Sequence, residues 1–294
     1  MRFPKFSKNR RGFALLLTVL GAMAVVILAA EFHFTSWVEG AAVRYHLDGL
    51  RASAMARSGV ELAMYIINED EREDDSFDDL WAKLDQQAAS GVPIGPGLVT
   101  IRIADESNKI NINKADVSEV KTIFKLLSVN REKKGEITGL IMQGMDLETS
   151  LKKLMNTRPL THLSAIAKET GNEGFQDGPG ISSCLTVWGD GAVNVNTATE
   201  TVLFALKPFQ DMGAPERLVA SLVENRPFKN TDEAVAVLKQ QVEVLPEGLS
   251  KALTVKSTFF RITATGMVRD VRVSVEAVVE RTENDPVKIM SWSE

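Results

Sequence analysis

Residues 13–30 read FALLLTVLGAMAVVILAA, eighteen positions without a charge. A helix of that length reaches across a bilayer core of about 30 Å. Arg2, Lys5, Lys8, Arg10 and Arg11 precede the run with no acid among them, while Glu31 and Glu39 follow it. By the positive-inside rule, residues 1–12 stay in the cytoplasm and the body lies outside. The 294-residue chain has a formal charge of −5, so everything after the +5 leader sums to −10. A body that acidic repels a phosphate backbone, which argues against nucleic acid as a partner.

Helical spacing continues beyond the apolar run. Val43, Leu50, Ala54, Val60, Ala63 and Ile67 recur on a pattern of threes and fours. One helix over residues 13–67 is therefore expected, about 80 Å long at 1.5 Å per residue. Residues 13–30 would span the membrane and 31–68 would continue outside it. Gly40, Gly49 and Gly59 oppose that helix, each by about 1 kcal/mol if exposed.

Two processing routes fit this N-terminus. A secretory signal would be cut after Leu28-Ala29-Ala30, releasing a soluble protein outside the membrane. The alternative starts from Gly12, which separates the basic cluster from the apolar run. Arg-Gly-Phe followed by aliphatic residues resembles the leader of type IV pilins and type II secretion pseudopilins. That resemblance implies cleavage by the prepilin peptidase between Gly12 and Phe13, with the helix retained. Most pseudopilins carry a glutamate five residues into the mature chain, where it can pair with a neighbour's terminal ammonium. Here that position is Leu17.

Residues 69–79, EDEREDDSFDD, hold eight acids and one base and read as a solvated loop. Asp74, Ser76, Asp78 and Asp85 fall at offsets like those of a calcium loop, though Asp79 stands where glycine is required. Ser76 is placed to cap a helix over SFDDLWAKLDQQ. After the turn-rich GVPIGPG, Val99, Ile101 and Ile103 alternate as a half-buried strand. Phe260, Ile262 and Ala264, a turn over residues 266–270, then Val271, Val273, Val275, Ala277 and Val279 read as an antiparallel hairpin. The expected fold is α+β, with one antiparallel sheet against the N-terminal helix and a helical block inserted between its strands. The expected divisions are residues 1–12, 13–30, 31–68, 69–109, an insert over 110–253, and a hairpin with a tail over 254–294.

The insert repeats itself. ININ at 110–113 recurs as VNVN at 193–196, and both copies lead into helical patterns. Asn111 and Asn113 thus match Asn194 and Asn196. Each copy has an Arg-Pro pair downstream, Arg158-Pro159 and Arg226-Pro227. Two units, about 110–168 and 193–240, are expected, with Thr197 and Glu200 forming a capping box in the second. The motif resembles helix-hairpin-helix units of DNA-binding competence proteins, and a membrane-anchored DNA receptor is one alternative. The second copy, however, places Asp211 and Glu216 where phosphates would sit and keeps only Gly213 of a glycine hairpin.

Catalytic patterns are lacking. His33, His46 and His162 are isolated, Cys184 is the single cysteine, and no GxSxG, HExxH or phosphate loop occurs. The chain reads as an assembly protein rather than an enzyme. Taken in order, the leader, Leu17, ARSGVELA at 56–63, DESNKININ at 105–113, AVNVNTAT at 192–199 and STFFRI at 257–262 resemble general secretion pathway protein K, a minor pseudopilin of type II secretion. The resemblance implies a bacterial inner-membrane subunit with a periplasmic head at a pseudopilus tip. Its implied partners are other minor pseudopilins, and beyond them secreted substrates and the outer-membrane channel. Gly21, Ala22 and Ala24, with Leu17, are the residues expected to let neighbouring helices approach. The resemblance also implies calcium in the head. Its candidate ligands are Asp74, Asp78 and Asp85, or Glu173 and Asp177 in GNEGFQDGPG.

Overall fold

The computed structural model describes residues 10–70, 73–133, 147–164, 180–212, 214–282 and 285–294. Helix α1 (Arg10–Glu69) runs 60 residues without a break, about 90 Å. Residues 12–39 are exposed on every face, and Asp48 is the first buried position. From there Ala52, Met55, Ala56, Val60, Ala63 and Ile67 form a buried stripe. Their three-and-four spacing puts them on one face, which lies on a sheet.

That sheet has five antiparallel strands in the order β1-β2-β7-β8-β9. They are β1 (Val92–Ile94), β2 (Gly97–Asp105), β7 (Phe259–Val268), β8 (Val271–Glu280) and β9 (Lys288–Ser293). Alternation sorts their faces. Val99, Ile101, Ile103, Phe260, Ile262, Ala264, Val275, Ala277 and Val279 are buried with the helix stripe in one core. Small residues let the layers meet closely. A Cβ on Gly59 would stand 2.9 Å from Val99 and 3.0 Å from Ala264, and one on Gly266 would stand 2.0 Å from the Ala52 carbonyl oxygen. Gly59, expected to cost the helix stability if exposed, is buried and lets the helix meet the sheet.

Several local expectations change. The hairpin turn narrows to Arg269 and Asp270, with Arg269 at φ 52°; Gly266 lies inside β7, where it accommodates the helix. The turn-rich GVPIGPG supplies β1, and the expected tail supplies β9. Helix α2 (Leu80–Ala88) starts later than Ser76 would allow. The Ser76 hydroxyl accepts the Asp78 N–H, while Asp70 accepts the Leu80 N–H at 3.2 Å and caps the helix instead.

The helical block leaves the sheet after Asp105 and returns before Phe259, between two adjacent strands. It comprises β3 (Ile110–Asn111), α3 (Val117–Lys133), α4 (Leu147–Met155), β4 (Leu185–Thr186), β5 (Val193–Asn194), α5 (Glu200–Ala205), α6 (Lys207–Gln210), α7 (Pro215–Glu224), α8 (Thr231–Lys239), α9 (Leu249–Ala252) and β6 (Leu253–Thr254). Two short parallel pairs join the start of each unit to a strand beyond its end, β3 with β4 and β5 with β6. This block has its own apolar core, with Ile112, Ile123, Leu151, Leu203, Phe209 and Leu222 among its fully buried members.

Candidate assembly surface

The distal part of α1 presents apolar side chains to its surroundings, with no described residue of the head packed against them. Phe13 is 66% exposed and Leu17 59%. Gly21, Ala22 and Ala24 are exposed too, and a Cβ on Gly12 or Gly21 would meet no atom within 4 Å. Val19, Leu20, Val25, Val26, Ile27 and Leu28 extend the same surface. Among the described residues this is the one helix long and apolar enough to cross a membrane. An uncovered apolar helix of this length is compatible with a membrane span. The apolar character runs on through Phe32, Phe34, Trp37, Val43, Tyr45 and Leu47, all exposed.

The repeated motif builds the same hydrogen-bond device twice. In the first unit Asn111 accepts the Asn113 N–H at 2.9 Å, and Asn113 exchanges bonds with Leu160, accepting its N–H at 2.7 Å and donating to its carbonyl at 3.0 Å. In the second, Asn194 accepts the Asn196 N–H at 2.9 Å, and Asn196 does the same with Phe228 at 2.8 and 2.9 Å. Leu160 and Phe228 follow Pro159 and Pro227, whose peptides with Arg158 and Arg226 are both cis. Each arginine donates to an alanine carbonyl just after its motif, Arg158 to Ala115 and Arg226 to Ala198, both at 2.7 Å. The asparagines thus close loops within the protein. Thr199, not Thr197, caps α5, accepting the Val202 N–H. Thr197 is drawn away because its hydroxyl donates to Asp105 at 2.6 Å. In the first unit Asp116 and Glu119 make the capping box.

The block meets the head through buried polar groups. Glu106, fully buried, accepts from Lys109 at 2.5 Å, Arg261 at 2.9 Å and Thr186 at 2.6 Å. Asp105 accepts from the hydroxyls of Ser257 and Thr197. Asp75 accepts from Arg281 and from the Ser257 N–H, and its carbonyl accepts from Asn194. The titrations are opposed. Burial alone would raise Glu106, but the Lys109 and Arg261 charges outweigh it and hold the carboxyl below its ordinary 4.5. Burial lifts Asp75 from 3.8 to about 6 against the pull of Arg281. Because folded Glu106 binds its proton more weakly than the unfolded chain does, its contribution is complete above pH 4.5 and drains away below. Asp75 has the reverse sign, its contribution falling as pH rises from about 4 to about 6. Glu106→Gln should lower stability by about 3 kcal/mol at neutral pH. It should also flatten the acid limb, as read from urea midpoints between pH 3 and 7.

The calcium candidates are not gathered. Asp74 pairs with Lys229 at 3.2 Å, and Asp85 accepts the Ile103 N–H at 2.8 Å. Among the described residues one trio of possible ligands converges, Asp70, Asp75 and Asp79, with oxygens within 4.8 Å of one another. Arg281, Ser257, Leu80 and Ser76 already donate to those carboxylates. The Arg281 guanidinium already neutralises Asp75, which opposes a divalent cation at this trio. Glu173 and Asp177 lie outside the described residues.

The sequence matches no known protein family, and no curated protein matches it. Among solved structures it is similar to a chain in the crystal structure of the GspK-GspI-GspJ complex from the enterotoxigenic Escherichia coli type 2 secretion system. The TM-score is 0.56 at 15% sequence identity, over 85% of this chain and 98% of that one. The resemblance to the protein K family is thereby met by a likeness of fold: this mixed helix-and-sheet architecture is one that a subunit of a type 2 secretion complex adopts.

Proposed function

We propose that this chain is a minor pseudopilin of a type II secretion system, of the protein K type, acting as a structural subunit rather than a catalyst. In this reading the prepilin peptidase cuts between Gly12 and Phe13. Residues 13–30 hold the subunit in the inner membrane, with its N-terminus cytoplasmic and its head periplasmic. The helix then packs against other minor pseudopilins, and the head caps the pseudopilus tip, facing secreted substrates and the outer-membrane channel. The observation that carries this is the uncovered apolar length of α1 joined to a head with the fold of a secretion-complex subunit. Leu17 supports the tip position, because a subunit lacking a carboxylate there receives no neighbour's ammonium.

Capture of partners tests the proposal. Full-length tagged chain, solubilised from its own membranes, should retain the other minor pseudopilins; a chain that retains none contradicts it. Gly21→Leu should reduce that capture about tenfold by blocking close helix approach. Unfolding of the head should not change, since a Cβ on Gly21 would meet no described part of the head within 4 Å.

A further inference from the structure

A cavity of about 540 Å³ opens where the block joins the sheet, within the range of small-ligand sites. Its composition is unusual for such a site. No leucine, isoleucine, valine or methionine lines it. Its large apolar walls are the rings of Trp188 and Phe259, both half-buried, stacked 25° from parallel with centroids 6.1 Å apart. The remainder is polar, with three carboxylates and three lysines. Glu106 and Lys109 are paired with each other at 2.5 Å, and Asp190, Glu280 and Lys114 also line the cavity around the rings.

The loop that carries Trp188 is shaped, not slack. Gly189 and Gly191 sit at φ 92° and 105°, backbone that favours glycine. Asn111 holds the Gly189 carbonyl at 2.6 Å, and Asp190 accepts the Ala192 N–H at 3.0 Å. The repeat motif therefore positions the tryptophan.

These walls select a ligand class. Balanced charge gives a phosphate or nucleic acid no net attraction. Aliphatic anchors for a peptide are absent, and Phe259 lies on a strand flanked by β2 and β8, so the sheet has no free edge here for strand addition. A flat, electron-rich aromatic face ringed by mixed donors and acceptors suits a neutral polyhydroxylated ring, whose C–H face packs on the aromatic while its hydroxyls bond the rim. We infer that this cavity binds a saccharide, stacked on Trp188 and hydrogen-bonded by Asp190, Glu280 and Lys114. This goes beyond the assembly role and holds or fails independently of it.

The test titrates the full chain, in a zwitterionic detergent with no sugar head group, with an N-acetylglucosamine tetramer and a glucose tetramer. Saturation-transfer NMR and calorimetry are the readouts. Binding with Kd below about 1 mM is expected, weakened at least tenfold by Trp188→Ala and severalfold by Asp190→Ala. Preference for the N-acetylglucosamine tetramer would identify a wall-type glycan, and equal or opposite preference another glycan; either supports the site. No binding of either at about 10 mM overturns the inference, as does binding that Asp190→Ala and Trp188→Ala both leave unchanged. Should Trp188→Ala lose its circular dichroism, the exposed Asp190→Ala carries the test.

Discussion

Gly266→Val is expected to lift the N-terminal helix from the sheet and lower the stability of the head by about 3 kcal/mol or more. The cause is distance. A Cβ at this position would stand 2.0 Å from the Ala52 carbonyl oxygen, 2.9 Å from its carbon and 3.0 Å from the Ala56 nitrogen. Those are backbone atoms inside a continuous helix, so no flexible side chain can move aside. The whole α1 segment from Ala52 to Ile67 would have to shift, and with it the contacts to Val99, Ile101 and Ala264. Thermal unfolding should show a Tm lower by about 10 °C. Gly49→Ala is the control: its new Cβ would sit 3.9 Å from Val271, an ordinary contact, and it should leave Tm within a few degrees. Equal effects at the two positions would show that helix and sheet are not packed as described.

Arg281→Ala should be nearly as damaging, with a loss of about 3–5 kcal/mol at neutral pH. Arg281 is buried, donates to Asp75 and to the Ser257 carbonyl at 3.0 Å, and lies 5.0 Å from the centre of the Phe260 ring. Removing it leaves Asp75, itself fully buried, without its counter-charge. The pH signature separates this from simple loss of packing. Arg281 is what pulls the Asp75 carboxyl down against burial, so in Arg281→Ala that carboxyl should take up its proton at higher pH. The variant should therefore recover part of its stability on going from pH 7 to pH 5. Asp75→Asn combined with Arg281→Met should unfold later than Arg281→Ala alone, because no unpaired charge remains. Urea unfolding at the two pH values measures both effects.

What could be read from the sequence was what depends on near neighbours. The apolar run, the helical spacing through Ile67 and the alternation of Val99 to Ile103 and Phe260 to Ala264 are local periodicities, and they set the α+β layers. The duplicated asparagine motif was visible for the same reason, though its partners were not: Asn113 reaches Leu160, and Asn196 reaches Phe228. The misplacements all involve groups with distant partners. Thr197 looked like a cap until Asp105, 92 positions earlier, took its hydroxyl. Spacing offered Asp74, Asp78 and Asp85 as ligands, whereas folding brings Asp70, Asp75 and Asp79 together, with Arg281 donating to Asp75. Gly266 read as a turn residue because the helix pressing on it lies more than two hundred positions away. The Trp188–Phe259 cavity gave no signal either, since one ring belongs to the inserted block and the other to the head sheet.

Assembly through α1 requires that helix to survive maturation with its apolar length intact. The most direct measurement is N-terminal sequencing, with intact mass, of the processed chain recovered from membranes. A chain beginning at Phe13 is the expected result. One beginning at Glu31 and recovered from the soluble fraction would contradict it, because no membrane helix would remain to assemble.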